Sequence, residues 1–139
     1  MAYNPTPEQQ KILDTIGKNI IVSASAGSGK TTVMVEKIFR LISEEKVPVK
    51  NLLVVTFTKS ASAEMKQRLE EKLKQNSDDE FILSQLDDLP QADICTVDSF
   101  CEGIVKKYFY AISIDSSFDV LDGQQKSNLQ NSAMQKTLS

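Results

Sequence analysis

An α/β fold, with a parallel sheet flanked by helices, is the architecture that three observations predict. Apolar, strand-like runs alternate with stretches of helical periodicity three times along the 139 residues. Repeated strand-then-helix order implies parallel strands joined by right-handed crossovers. A glycine-rich turn, Ala24-Ser25-Ala26-Gly27-Ser28-Gly29-Lys30-Thr31, separates the first such run from the helix that follows it. The composition, 40% hydrophobic and 25% charged, is that of one globular unit with one core.

The elements follow in order. A first helix is predicted from Pro7 to Ile16, with Thr6 as N-cap, Pro7 at the first helical position and Gln9 three residues after the cap, completing a capping box. Lys18 to Ser23 reads as a short buried strand, and Thr32 to Ser43 as a helix with apolar residues at Met34, Val35, Ile38, Leu41 and Ile42. A second strand is predicted from Asn51 to Thr56, then a helix through Leu73 whose Ala61, Met65, Leu69 and Leu73 recur at helical spacing. The acidic stretch from Gln75 to Ala92 reads as a solvated connector with a short helix around Phe81 to Leu86. A third strand, Asp93 to Val97, leads into a helix from Asp98 to Ala111. Its apolar face of Phe100, Ile104, Val105, Tyr108, Phe109 and Ile112 marks it as a packing element, with Lys106 and Lys107 on the other side. Gln124 to Ser139 reads as a helix interrupted before its end, without a capping glycine or proline.

Composition also excludes several classes of function. Cys95 and Cys101 are the only cysteines and histidine is absent, so neither a conventional zinc site nor a histidine base is available. A net charge of −3 argues against indiscriminate nucleic-acid binding but leaves room for a local basic strip. No apolar run approaches the ~20 residues needed to span a bilayer, and Met1 to Pro5 lacks the character of a signal peptide. A cytoplasmic protein without membrane contact is the expectation.

Chemistry concentrates at the glycine-rich turn. Gly27 and Gly29 let the backbone curl so that N–H groups point at a phosphate, Lys30 adds a mobile positive charge for β/γ oxygens, and Thr31 offers a hydroxyl to Mg²⁺. In parallel sheets ligands bind at the carboxyl ends of the strands, so functional residues should gather after Ser23, Thr56 and Val97.

Those junctions resemble superfamily 1 (UvrD/Rep-like) helicases. Thr56-Phe57-Thr58-Lys59-Ser60-Ala61-Ser62-Ala63-Glu64-Met65-Lys66-Gln67-Arg68 is similar to their motif Ia, and Thr96-Val97-Asp98-Ser99-Phe100-Cys101 to motif Ib. Ala24, where the general phosphate-loop pattern has glycine, is typical of this superfamily. A closer resemblance, covering nearly the whole chain, is to the A subunit family of the bacterial ATP-dependent helicase/nuclease (AddA/RexA). It rests on Leu52-Leu53-Val54-Val55-Thr56-Phe57-Thr58, Ser99-Phe100-Cys101 and Lys106-Lys107-Tyr108-Phe109-Tyr110.

This resemblance implies a P-loop NTPase (RecA-like) fold. Residues 1–123 would be the N-terminal part of helicase domain 1A, and 124–139 the start of a truncated helical insertion, domain 1B. It implies ATP and Mg²⁺ as cofactors, single-stranded and duplex-end DNA as substrates, a partner B subunit, and a role in double-strand break repair. The nucleotide would be held by Gln9, Ala24, Ser25, Ala26, Gly27, Ser28, Gly29, Lys30, Thr31 and Thr32, with Lys30 and Thr31 catalytic and Thr31 on the metal. Gln9 is both the family's adenine contact and a capping-box residue, and the two readings stand equal. DNA would meet Thr56, Thr58 and Ser99 through phosphates, Phe57 by stacking, and Lys59 by charge.

Lys59 replaces the usual asparagine of motif Ia, and Asp98 stands where relatives often have histidine, which sets a like charge near DNA. Glu64 and Arg68 read as a surface pair. No strand is followed by the Asp-Glu that completes a hydrolytic Mg²⁺ site, and no arginine fingers are evident. The chain is therefore expected to be an N-terminal fragment that binds nucleotide weakly and turns it over very slowly or not at all. A small P-loop phosphotransferase and a stand-alone DNA- or partner-binding module are the alternative readings.

Overall fold

The computed structural model describes residues 3–25, 27–115, 117–118, 120–121 and 123–138. It is helix-dominated, with a small parallel sheet. Helices α1 (Pro7–Asp14) and α2 (Lys30–Ser43) come first, then strand β1 (Leu53–Thr56), helices α3 (Lys59–Lys74) and α4 (Glu80–Asp88), strand β2 (Asp93–Thr96), α5 (Val97–Tyr108) and α6 (Gly123–Leu138). Short 3₁₀ turns at Val49–Asn51, Leu89–Gln91 and Phe109–Ile112 punctuate them. The chain divides into two compact units, Met1–Cys101 and Glu102–Ser139.

Local chemistry explains the helix starts. Thr6 accepts from the Gln9 backbone while the Gln9 side chain accepts from the Thr6 N–H, so the capping box forms as its residues require. Thr58 caps α3 by accepting from Ala61 N at 3.2 Å, and Asp79 caps α4 by accepting from Phe81 N at 2.8 Å. Thr96 does the same for α5 through the Ser99 N–H at 3.2 Å.

The core of the first unit lies between α2, α3, α4 and one face of the sheet. Val35, Ile38 and Ile42 project from α2 at helical spacing onto Met65, Leu69 and Leu73 of α3, with Ile82, Leu89, Val49, Ala92 and Ile94 closing the cluster. Full burial of each such side chain contributes roughly 1.5–3 kcal/mol. Gln85 is buried too, and bonded at both ends of its amide: its Oε1 accepts from Val49 N at 2.8 Å, and its Nε2 donates to Ser84 Oγ at 2.8 Å and Phe81 O at 3.3 Å. It thus supplies a partner for a backbone N–H that the helices cannot satisfy.

Three expectations need correction. Lys18 to Ser23 is neither strand nor helix: among the described residues the sheet has two strands, β1 and β2, and Ile21 is 98% exposed. An apolar run becomes a strand only when another strand lies alongside to take its N–H and C=O groups, and neither β1 nor β2 does so. The sheet is also not covered on both faces within the first unit, for Leu53 and Val55 are half-exposed while Val54 packs on the core. Finally, no side chain of α5 is buried, and Ile104 and Tyr108 are half-exposed, so its apolar face is not the packing surface its spacing predicts.

Other boundaries shift by a turn or less. Helix α1 ends at Asp14, where Thr15 adopts extended backbone and its hydroxyl donates to Lys11 O at 2.7 Å. Asn51 belongs to a 3₁₀ turn, and Val97 starts α5 instead of ending a strand. In α2, Met34 is half-exposed while Val33 is buried.

Gln85→Leu should lower unfolding free energy by about 1–3 kcal/mol, because the Val49 N–H is left buried without a partner; a urea midpoint equal to wild type would contradict this. Asp79 is held below the ordinary carboxylate range by the Lys46 ammonium at 2.5 Å and then by the Phe81 N–H. A depressed folded pKa contributes stability above the unfolded value that is lost as pH falls through the folded one. Stability should therefore drop more gently with acid in Asp79→Asn, read as the difference between unfolding midpoints at neutral pH and below the ordinary carboxylate range.

Candidate nucleotide and DNA site

Helix α2 opens directly out of the glycine-rich turn. Gly29, its N-cap, has φ 79°, and Gly27 has φ 76°, both in the left-handed region that side-chain-bearing residues avoid. No side chain caps α2, so its first-turn N–H groups keep the donor character that suits an anion. Lys30 is exposed and folds back over its own loop, donating from Nζ to Ala24 O at 2.9 Å and Ser25 O at 2.6 Å. Thr31 is half-buried in the first turn and Thr32 exposed; Ala26 lies outside the described residues.

The fit of this loop to a phosphate group rests on one further atom. Ser28 Oγ is buried and has no hydrogen-bond partner among the described residues. A buried orphan hydroxyl inside a glycine turn is a group suited to a polar ligand. Beside the loop, a cavity of about 650 Å³ is lined by Thr6, Gln9, Ile12, Ile20, Val22 and Lys30, among others.

Gln9 joins α1 to the loop. Its Nε2 donates to Ser28 O at 3.2 Å, and its Oε1 accepts from both Thr6 N at 3.0 Å and Tyr3 Oη at 3.1 Å. A carboxamide oxygen has two lone pairs and its nitrogen two protons. The acceptor is therefore full, and one N–H remains among the described partners. Burial pushes the Tyr3 phenol pKa up, the Glu36 charge adds to this, and Arg40 opposes it, so Tyr3 remains a donor to Gln9 at neutral pH. Tyr3 carries no motif signal, and only its proximity in the fold reveals it.

The other two junctions meet at the sheet. Thr56 pairs with Thr96 in the parallel register, so the segments that follow β1 and β2 leave the same edge side by side. Phe57 is 98% exposed, and Lys59, Asp98 and Ser99 are exposed as well. Thr56 donates from Oγ1 to Thr58 O at 2.9 Å, Thr58 Oγ1 shares a bond with Ser60 Oγ at 3.2 Å, and Ser99 Oγ shares one with Thr96 Oγ1 at 2.9 Å. Asp98 lies in the first turn of α5, where its charge suits the helix dipole. Glu64 and Arg68 form the expected exposed pair at 2.5 Å.

Residues 5–139 match the model of the UvrD/REP helicase N-terminal domain. The chain belongs to this family. It is 43% identical over 130 residues to the A subunit of the ATP-dependent helicase/nuclease of Lactobacillus gasseri, covering 91% of this chain and 11% of that protein. It is 43% identical over 123 residues to the protein of the same name from Lachnoclostridium phytofermentans, covering 84% and 9%. With that of Alkaliphilus metalliredigens the identity is 36% over 138 residues, covering 96% and 12%. The chain thus spans about a tenth of the length of the curated relatives it matches. Among the described residues no helix is long and apolar enough to cross a membrane.

Gly29→Ala should cost about 1–2 kcal/mol of stability, since an alanine must be held at positive φ. The cost is conformational, because the added Cβ would lie 3.5 Å from Gln9 Nε2, an ordinary contact. Phe57→Ala should leave stability within about 0.5 kcal/mol of wild type, as expected for so exposed a side chain. Thermal unfolding of both variants checks the contrast.

Proposed function

We propose that this chain is the nucleotide-gripping and first DNA-contacting part of an ATP-dependent helicase/nuclease A subunit, on a P-loop NTPase (RecA-like) core. In the whole protein, ATP binding and hydrolysis would drive movement on single-stranded DNA at duplex ends, together with a partner B subunit, in the repair of double-strand breaks. The observation that carries this reading is the loop at the head of α2, with two left-handed glycines, the orphan Ser28 hydroxyl and Lys30 in one turn. Residues 1–123 would be the N-terminal part of domain 1A, and 124–139 the start of the helical insertion.

Bound ATP with Mg²⁺ supplies the free energy of phosphoryl transfer. This chain's residues grip and orient. Loop N–H groups and Lys30 would hold phosphate oxygens, Thr31 would meet the metal, and Gln9 would offer its remaining N–H to the adenine edge. Lys30 must exchange the Ala24 and Ser25 carbonyls for phosphate, at small cost because it is already exposed to water. Phe57 stands free to stack on a base, and Lys59 adds charge for a phosphate. A phosphotransferase wants arginines for its lid, yet Arg40 and Arg68, the only ones in the chain, are already engaged with carboxylates.

Three variants test the assignment in the full-length protein. Lys30→Ala should abolish ATP-driven DNA unwinding while single-stranded DNA binding persists; unwinding at the wild-type rate would sink the reading. Phe57→Ala should weaken single-stranded DNA binding by about 1–3 kcal/mol, and a change under twofold removes the stacking role. Gln9→Glu keeps the capping box and the Tyr3 bond but loses the amide donor and with it the bond to Ser28 O, so stability should fall by about 0.5–1.5 kcal/mol while preference for ATP over GTP falls. An unchanged preference leaves Gln9 as a cap and a tie to the loop.

A further inference from the structure

Four charged residues on three helices form one chain of ion pairs through the first unit. Asp14 of α1 meets Arg40 of α2 at 3.4 Å, Arg40 Nε meets Glu36 Oε1 at 3.5 Å, and Glu36 Oε2 meets Lys72 Nζ of α3. The Glu36 side chain is only 11% exposed, and Lys72 Nζ also lies 5.0 Å from the Phe39 ring centroid. Glu36, Lys72 and Thr32 line one small cavity of about 280 Å³ between α2 and α3.

Stability alone does not account for burying such a pair. Desolvating two charges offsets most of their attraction, and an apolar pair of similar volume often does as well. The placement of the pair is informative instead. Helix α2 begins in the phosphate loop, and α3 begins two residues after Phe57. Clasping the two helices ties the segment that would meet nucleotide to the one that would meet DNA.

We propose that Glu36 is a positioning residue that couples nucleotide binding at the head of α2 to DNA binding at the head of α3. The inference rests on the nucleotide and DNA roles proposed above. Coupling needs an element with two arrangements that each ligand biases. Arg40 is suited to it: its guanidinium lies 3.4, 3.5 and 3.9 Å from Asp14, Glu36 and Glu44, none of them at the 2.7–2.9 Å of a strong charge-assisted bond. A small slide of α2 against α1 or α3 redistributes that cation among its three carboxylates and loosens or tightens the grip of Glu36 on Lys72. The pair shares its small cavity with Thr32 at the head of α2, so its effect on the link is read as the ratio of nucleotide affinities with and without DNA.

The experiment is a linkage measurement on the full-length protein. The Kd of a fluorescent ATP analogue is determined with and without saturating oligothymidylate, in wild type, Glu36→Gln, Lys72→Met, Lys72→Arg and the Glu36→Gln/Lys72→Met double variant. Wild type should show a coupling factor of about fivefold or more. Glu36→Gln and Lys72→Met should each bring it to within about twofold of unity, with DNA-free nucleotide affinity unchanged, and the double variant should go no further. Lys72→Arg should restore most of it. A folded Glu36→Gln that keeps the wild-type factor overturns the inference and leaves the functional reading intact. Wild type that binds neither ligand overturns both. If Glu36→Gln does not fold, Lys72→Met, whose parent side chain is 26% exposed, decides by the same criterion.

Discussion

Burial of the α2 stripe against α3 is the contact on which the rest of the first unit depends. Val35, Ile38 and Ile42 meet Met65, Leu69 and Leu73, and four of these side chains, Ile38, Ile42, Leu69 and Leu73, are at most 4% exposed. This face fixes the direction of α2, and with it the direction in which the uncapped N–H groups of its first turn point. The glycine-rich loop is itself largely exposed at its described residues. It borrows rigidity from the helix it opens and from Gln9, which bonds Ser28 O beside the N-cap.

Helix α1 shows how the borrowing works. At 8 residues it is too short to be stable by itself, since isolated helices below about 12–15 residues are marginal in water. It is held instead at both ends. Leu13 is buried, Lys37 of α2 donates from Nζ to Leu13 O at 2.7 Å and Thr15 O at 2.6 Å, and the capping box secures the start. A lysine on the last carbonyls also complements the negative end of the helix dipole. Gln9 therefore reaches the loop from a helix that α2 itself positions.

What the sequence makes legible follows from the range of each interaction. Caps and apolar helical spacing are local, so α1 starts at the Thr6 cap as read, and α2, α3 and α4 cover the segments read as helical, with starts that Gly29, Thr58 and Asp79 set in the structure. The glycine-rich turn is legible for the same reason. A strand is a property of two segments, so Lys18 to Ser23, apolar as it is, could not be settled from its own residues. Likewise Glu36 and Lys72 are 36 residues apart, and no local pattern marks them as partners. Gln85 hid in an acidic connector that reads as solvated, yet it is among the most buried polar residues of the chain.

The hydroxyls at the sheet edge show why motif residues need their hydrogen bonds counted. Each has one proton to donate, and a phosphate accepts but does not donate. The Thr56 proton is committed to Thr58 O. Thr58 and Ser60 hold two protons between them and spend one on their mutual bond, while Thr58 Oγ1 also accepts from Ala61 N. Thr96 and Ser99 stand in the same relation, with Thr96 Oγ1 accepting from Ser99 N. Each pair is left with one O–H, and because both follow strands paired in parallel, the two donors leave the same edge. In each pair the threonine oxygen is anchored by a backbone N–H, so the serine is better placed to turn outward. Ser60 thereby joins Ser99 as the hydroxyl of its pair better placed to turn its proton to solvent.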